Sequence, residues 1–139
     1  MYLLDTNVVS ELRKAGFGKA DRHVVAWVAS TPAAAQFLSV ITLMEIELGI
    51  LRVERRDTTQ GTVLRRWLDD RVLPAFLGRI LDVDLAVARC CAALHVPDPR
   101  AERDALIAAT AMVHGMSVVT RNVGDFTPSG ASIVNPWNG

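Results

Sequence analysis

Tyr2-Leu3-Leu4-Asp5-Thr6-Asn7 is the stretch on which the fold turns, because three apolar residues give way at once to an acid, a hydroxyl and an amide. So short an apolar run suits a strand buried on both faces, and the three polar side chains that follow can each accept from the free N–H groups of a helix start. The stretch reads as strand, turn and helix, with a carboxylate at the carboxyl end of the strand. Three further runs have the same character: Gln36 to Val40, Ser117 to Thr120 and Ala131 to Val134. Between them lie helical patterns at Asn7 to Lys14, Arg22 to Ala29, Leu43 to Arg56, the segment after Thr58 that carries Val63, Leu64, Trp67 and Leu68, Asp84 to His95, and Asp104 to His114. Gly115 closes the last of these as a C′ residue. Strands alternating with helices imply right-handed crossovers and a three-layer α/β/α domain around a short central parallel sheet.

Bulk properties fit one such domain spanning residues 1–139, since 50% hydrophobic content with 22% charged residues gives apolar surface enough for a single core. No stretch has the apolar length of a membrane span, and the apolar run before Asp5 lacks the features of a secretion signal, so a cytoplasmic location is expected. Fifteen basic residues balance fifteen acidic ones, so no global positive field draws a polyanion; any nucleic acid must be met by local patches. The adjacent Cys90 and Cys91 read as reduced thiols packed within a helix. His23, His95 and His114 have no metal-ligand spacing and receive no catalytic role. The absence of a glycine-rich phosphate loop argues against nucleotide binding.

In an open parallel sheet, ligands bind outside the carboxyl ends of the strands. Four acids stand at strand ends or helix starts: Asp5, Glu45, Asp104 and Asp125. Each has a structural explanation of its own. Asp5-Thr6-Asn7 can cap a helix, Thr42-Leu43-Met44-Glu45 has the spacing of a capping box, Asp104 opposes a helix dipole, and Asn122 to Asp125 can form an Asx-type turn. Asp104 strains its explanation most, because the helix it enters is apolar nearly all round and a buried acid needs a partner. Arg103, one position before it, points elsewhere on the helix. Four carboxylates in one crevice would repel one another unless a cation neutralised them, and an all-oxygen set favours Mg²⁺ or Mn²⁺. Such an ion can activate water for phosphodiester hydrolysis. Glu45 and Glu47 lie about 200° apart around a helix, so only one can join the set, and periodicity alone does not choose.

Taken in order, Leu3-Leu4-Asp5-Thr6-Asn7, Ser39-Val40-Ile41-Thr42-Leu43-Met44-Glu45, Asp104 to Ala111, Thr120-Arg121-Asn122-Val123-Gly124-Asp125-Phe126 and Asn135-Pro136-Trp137 resemble the PIN-domain family, most closely its VapC-type toxin ribonucleases. The resemblance implies that Asp5, Glu45, Asp104 and Asp125 occupy the family's metal-site positions, and it selects Glu45 over Glu47. It also implies supporting polar roles for Thr6, Asn7, Thr120 and Asn122. By the same resemblance the chain is a Mg²⁺-dependent endoribonuclease that forms a homodimer, is held inactive by a cognate antitoxin in a larger hetero-oligomer, and contacts RNA through arginines such as Arg13, Arg52, Arg55, Arg56 and Arg121. Leu43 to Leu51 and the Trp67 segment are candidates for a dimer face or a groove for a partner helix. Two other readings stay open: a catalytically silent module that binds RNA or protein, and a phosphatase with Asp5 as nucleophile, which the presence of Asn7 two positions on disfavours.

Overall fold

The computed structural model describes residues 1–139. In chain order, β1 (Tyr2–Leu4) leads to α1 (Thr6–Arg13) and α2 (Arg22–Ser30), and β2 (Gln36–Ser39) leads to α3 (Val40–Arg56) and α4 (Thr58–Trp67). A π turn over Leu68–Val72 and the short α5 (Leu73–Ala75) precede β3 (Ile80–Leu81), which leads to α6 (Leu85–Leu94) and α7 (Glu102–Val113). The chain closes with β4 (Ser117–Val119), α8 (Val123–Phe126) and β5 (Ile133–Val134). The strands pair in the order β3-β2-β1-β4-β5, and every pair is parallel.

Alternation along the strands explains why both sheet faces are covered. Leu4 and Val119 join Val8, Val24, Leu38 and Ile46 on one face, whereas Leu3 and Val118 join Ile107, Ala108, Ala111 and Phe126 on the other. A smaller cluster of Val87, Cys91, Ala105 and Ala109 seals α6 against α7. The α/β/α layering expected from the sequence is therefore present. Gly115 takes a left-handed conformation at φ 66°, and Met116 N–H donates to the Ala111 carbonyl, so α7 ends in the glycine-dependent turn that aims the chain into β4.

Three local expectations are corrected. First, the sheet has five strands rather than four, because Ile80–Leu81 pairs with Leu38 and Ser39 at one edge. Second, the second strand stops at Ser39, whose side chain accepts from Ile41 N–H, so α3 begins at Val40 and not at Leu43. Third, Thr42 cannot be a cap, since it lies inside α3 with its hydroxyl buried and unpartnered; Glu45 faces another residue entirely. No helix is long and apolar enough to cross a membrane.

Candidate active site

From β1 the strand order runs outward to β2 and β3 on one side and to β4 and β5 on the other. The crossovers reverse between β1 and β4, which opens a crevice at the carboxyl ends of those two strands. Asp5 follows β1 directly and Thr120 follows β4 directly, so both belong to this edge; Asp5 N–H still donates to Val119 O at 2.9 Å. Buried Asp5 caps α1 by accepting from Thr6 N–H at 2.8 Å. The capping role and a place in the crevice are thus compatible.

Thr120 shows how the crevice holds its acids in place. A hydroxyl has one proton and two lone pairs. Asn122 N–H donates to Thr120 Oγ1 at 3.0 Å and Asn7 Nδ2 at 3.2 Å, which occupies both acceptor positions. The single proton therefore goes to Asp5 Oδ2, 2.8 Å away. Asn7 is oriented in turn, because its Oδ1 accepts from Arg121 N–H at 3.3 Å and its Nδ2 lies 3.4 Å from Asp5 Oδ2. Thr6 Oγ1 donates to Glu45 Oε1 at 2.7 Å, linking the first turn of α1 to α3. Asn122 contributes its backbone N–H, and its side chain makes no capping bond to α8.

Glu47 faces away. Arg65 Nη1 donates to it at 2.7 Å across the α3–α4 pair, and this guanidinium holds Glu47 below the usual carboxylate range. Contact geometry thus separates Glu45 from Glu47.

The fold sets the four acids close enough for their charges to act on one another. Burial, followed by the charges of Asp5, Asp125 and Glu45, pushes Asp104 up from its ordinary 3.8 to about 6. Burial likewise raises Asp5; the Thr120 and Thr6 hydrogen bonds oppose it, and Glu45 and Asp125 add to the rise. Asp104 lies in the first turn of α7 and is half-buried, less enclosed than its apolar helix suggested, while Asp125 on α8 is exposed. The one ion pair to any of the four is loose: Arg103 Nη1 sits 3.7 Å from Glu45 Oε2. Arg103 does avoid Asp104, as expected, yet it reaches the same crevice from the α7 side, which helical spacing alone did not reveal.

Of the arginines expected to meet RNA, Arg121 borders the crevice and stacks 5.5 Å from the Trp137 ring. Arg52, Arg55 and Arg56 lie further down α3; Arg55 is ten residues past Glu45, about 15 Å along the axis. Arg13 lines a separate groove with Leu12, Phe17, Val63, Trp67 and Arg66.

A second titratable cluster was not anticipated. Ligand atoms of Cys91, His95 and Glu102 lie within 4.8 Å of one another, at the turn between α6 and α7. The signal available in the sequence was the spacing of Cys91 and His95, four apart on one helix face.

The PIN domain family profile matches residues 2–126. The chain is 38% identical to the VapC ribonuclease Y4jK of Sinorhizobium fredii over 99% of this chain and 98% of that protein. Among solved structures, FitAcB from Neisseria gonorrhoeae superposes with a TM-score of 0.90 at 35% identity, covering 100% of both chains. A toxin–antitoxin complex from Klebsiella pneumoniae gives a TM-score of 0.68 at 25% identity over 98% of both chains. With its crevice at the β1/β4 switch point and this agreement along its length, the chain belongs to the PIN-domain family, among the VapC-type members.

Proposed function

We propose that the chain is a metal-dependent endoribonuclease toxin whose active site is the crevice of Asp5, Glu45, Asp104 and Asp125. The observation that carries this reading is Asp104. It is raised to about 6 by burial and by three neighbouring acids, and no hydrogen bond offsets the rise. An acid in that position is stabilised by a shared cation, and the oxygen-only donor set suits Mg²⁺, with Mn²⁺ as its substitute. When bound, such an ion supplies charge neutralisation and an activated water for attack on a phosphodiester.

The chain's own residues do the positioning. Thr120, with both lone pairs occupied, fixes one oxygen of Asp5, and Thr6 N–H fixes the other. Thr6 Oγ1 fixes Glu45 Oε1, so one residue sets the spacing between two of the proposed ligands. Asn7 braces Thr120 and the start of the β4–α8 loop. These bonds by themselves hold Asp5 and Glu45 in place, which limits the reorganisation that binding an ion requires of those two.

A cognate antitoxin is the proposed protein partner, supported by the likeness to a toxin–antitoxin complex. Its docking surface is the groove between α1 and α4, where Phe17 and Val63 are exposed and Trp67 forms part of the wall. An amphipathic helix carrying acids beside its apolar stripe would meet both that wall and Arg13, Arg66 and Arg71. Homodimer formation, and a larger assembly with the antitoxin, remain part of the same proposal.

Purified protein incubated with RNA should cleave it in Mg²⁺ and stop when EDTA is added. Asp5→Asn should remove that activity with the circular dichroism spectrum unchanged. Cleavage that persists in EDTA, or full activity of Asp5→Asn, would overturn the reading.

A further inference from the structure

The arginine at the crevice differs in kind from the other paired arginine on α4. Arg65 is held by two acids, with bonds of 2.7 Å to Glu47 and 3.1 Å to Glu54, and serves as a fixed brace between helices. Arg103 has one partner, Glu45, at 3.7 Å, which is outside hydrogen-bonding distance, and its side chain is 48% exposed. It is a cation attracted to the crevice but not fastened there. The residue it leans on is also one of the four acids proposed to hold the ion.

We propose that Arg103 is a substrate-positioning residue that exchanges partners. It offsets the charge of Glu45 while the crevice lacks a divalent ion, and it turns to a phosphate of the RNA once Glu45 is committed to the ion. The inference rests on the nuclease reading above. An ion at Glu45 withdraws the negative charge that attracts the guanidinium and adds positive charge beside it, so the existing pair weakens. A phosphodiester arriving at the same edge presents anionic oxygens suited to the planar fork of arginine. Arg103 lies in the first turn of α7 between the acids Glu102 and Asp104, yet Glu102 pairs with His95 and Arg103 makes no ion pair with Asp104, so Glu45 is its sole carboxylate partner.

The exchange makes Arg103 a competitor of the metal and an ally of the RNA, and the two effects have opposite signs. A residue that only supported the fold would not produce that pattern. In Arg103→Gln, Mn²⁺ titrated by calorimetry should bind more tightly, by about two- to fivefold, the range expected from losing one exposed ion pair. A fluorescein-labelled single-stranded RNA oligonucleotide, kept whole by supplying Ca²⁺ in place of Mg²⁺ and checked on gels, should bind more weakly. The log–log salt slope of that binding should shrink by about 0.7, the loss of one phosphate contact on a single strand. Arg103→Lys should restore most of the salt slope and less of the affinity, because a point charge lacks the fork. Equal Mn²⁺ affinity and equal RNA binding in wild type and Arg103→Gln would overturn the role of Arg103 while leaving the nuclease reading in place. A wild-type protein that binds neither Mn²⁺ nor the oligonucleotide would overturn both.

Discussion

Two clusters of titratable side chains each draw an acid from the first turn of α7, Glu102 in one and Asp104 in the other, and they differ in how their lone pairs are spent. At the α6–α7 turn, Arg100 N–H donates to His95 Nδ1 at 3.1 Å. With that nitrogen accepting, the neutral ring carries its proton on Nε2, which points to Glu102 Oε2 at 3.4 Å and Cys91 Sγ at 3.8 Å. No ring lone pair is left for an ion, and Arg100 Nε closes the turn by donating to Leu94 O. The trio is compact because its donors and acceptors already match. In the carboxylate crevice the ratio is reversed: four acids gather with one loose arginine, and Asp104 carries the excess as a raised proton affinity. Closeness of potential ligands is thus not enough by itself to mark a metal site.

The largest expected effect separates the clusters by activity. Asp104→Asn should lower Mg²⁺-dependent RNA cleavage by at least about a hundredfold, since even residues that merely orient ligands act on that scale. His95→Gln and Cys91→Ser should leave cleavage unchanged. The opposite pattern in the same assay would make the α6–α7 trio the working site. Next in size, Thr120→Val should reduce cleavage by about ten- to a hundredfold with a matching loss of Mn²⁺ affinity, because the shape is kept while the proton that fixes Asp5 is lost.

Stability against pH tests the idea of unmet charge without a substrate. Asp104 binds its proton more tightly in the folded chain than in the unfolded one, so its favourable contribution is complete below about pH 4 and is lost as pH rises through about 6. Metal-free Asp104→Asn should therefore be more stable than wild type at pH 8, by on the order of 1–2 kcal/mol after allowance for solvent screening. The advantage should vanish near pH 4, and Mg²⁺ should reduce it by stabilising wild type alone. Urea unfolding of both proteins across that range would measure it; an advantage independent of pH would argue for a packing effect. The smallest effect belongs to the satisfied cluster. His95→Gln should cost about 1 kcal/mol at neutral pH, the worth of its hydrogen bonds, with no response to Mg²⁺.

Much of this contrast was legible beforehand. Leu3, Leu4, Val118 and Val119 bury both faces of their strands, and such runs stand out in a sequence whatever they pack against. The acids at their ends then follow from the layout of a parallel sheet. Less was legible where a residue answers to a distant partner. Ile80–Leu81 is too short to show a period and becomes a strand only beside Leu38 and Ser39. Val40 is β-branched and reads as the end of the strand, yet the Ser39 cap starts α3 at once, which places Glu45 in the second turn and not in a capping box. Glu47 was excluded from the crevice by Arg65, on a different helix. Helical spacing turns Arg103 away from its neighbour Asp104 but does not reveal its partner, Glu45, on α3.

The pairing of β1 has a consequence for how the chain comes into being. Tyr2 and Leu3 can meet Gln36 and Phe37 as soon as β2 has been made, but their other side waits for Ser117 and Val118. The middle of the sheet therefore joins segments far apart in sequence, and such distant contacts form slowly. Asp5 and Thr120 cannot meet until β4 has emerged, so the crevice is incomplete until that strand has been made. A chain stalled before β4 would carry Asp5 and Glu45 without the Thr120 hydroxyl that holds Asp5.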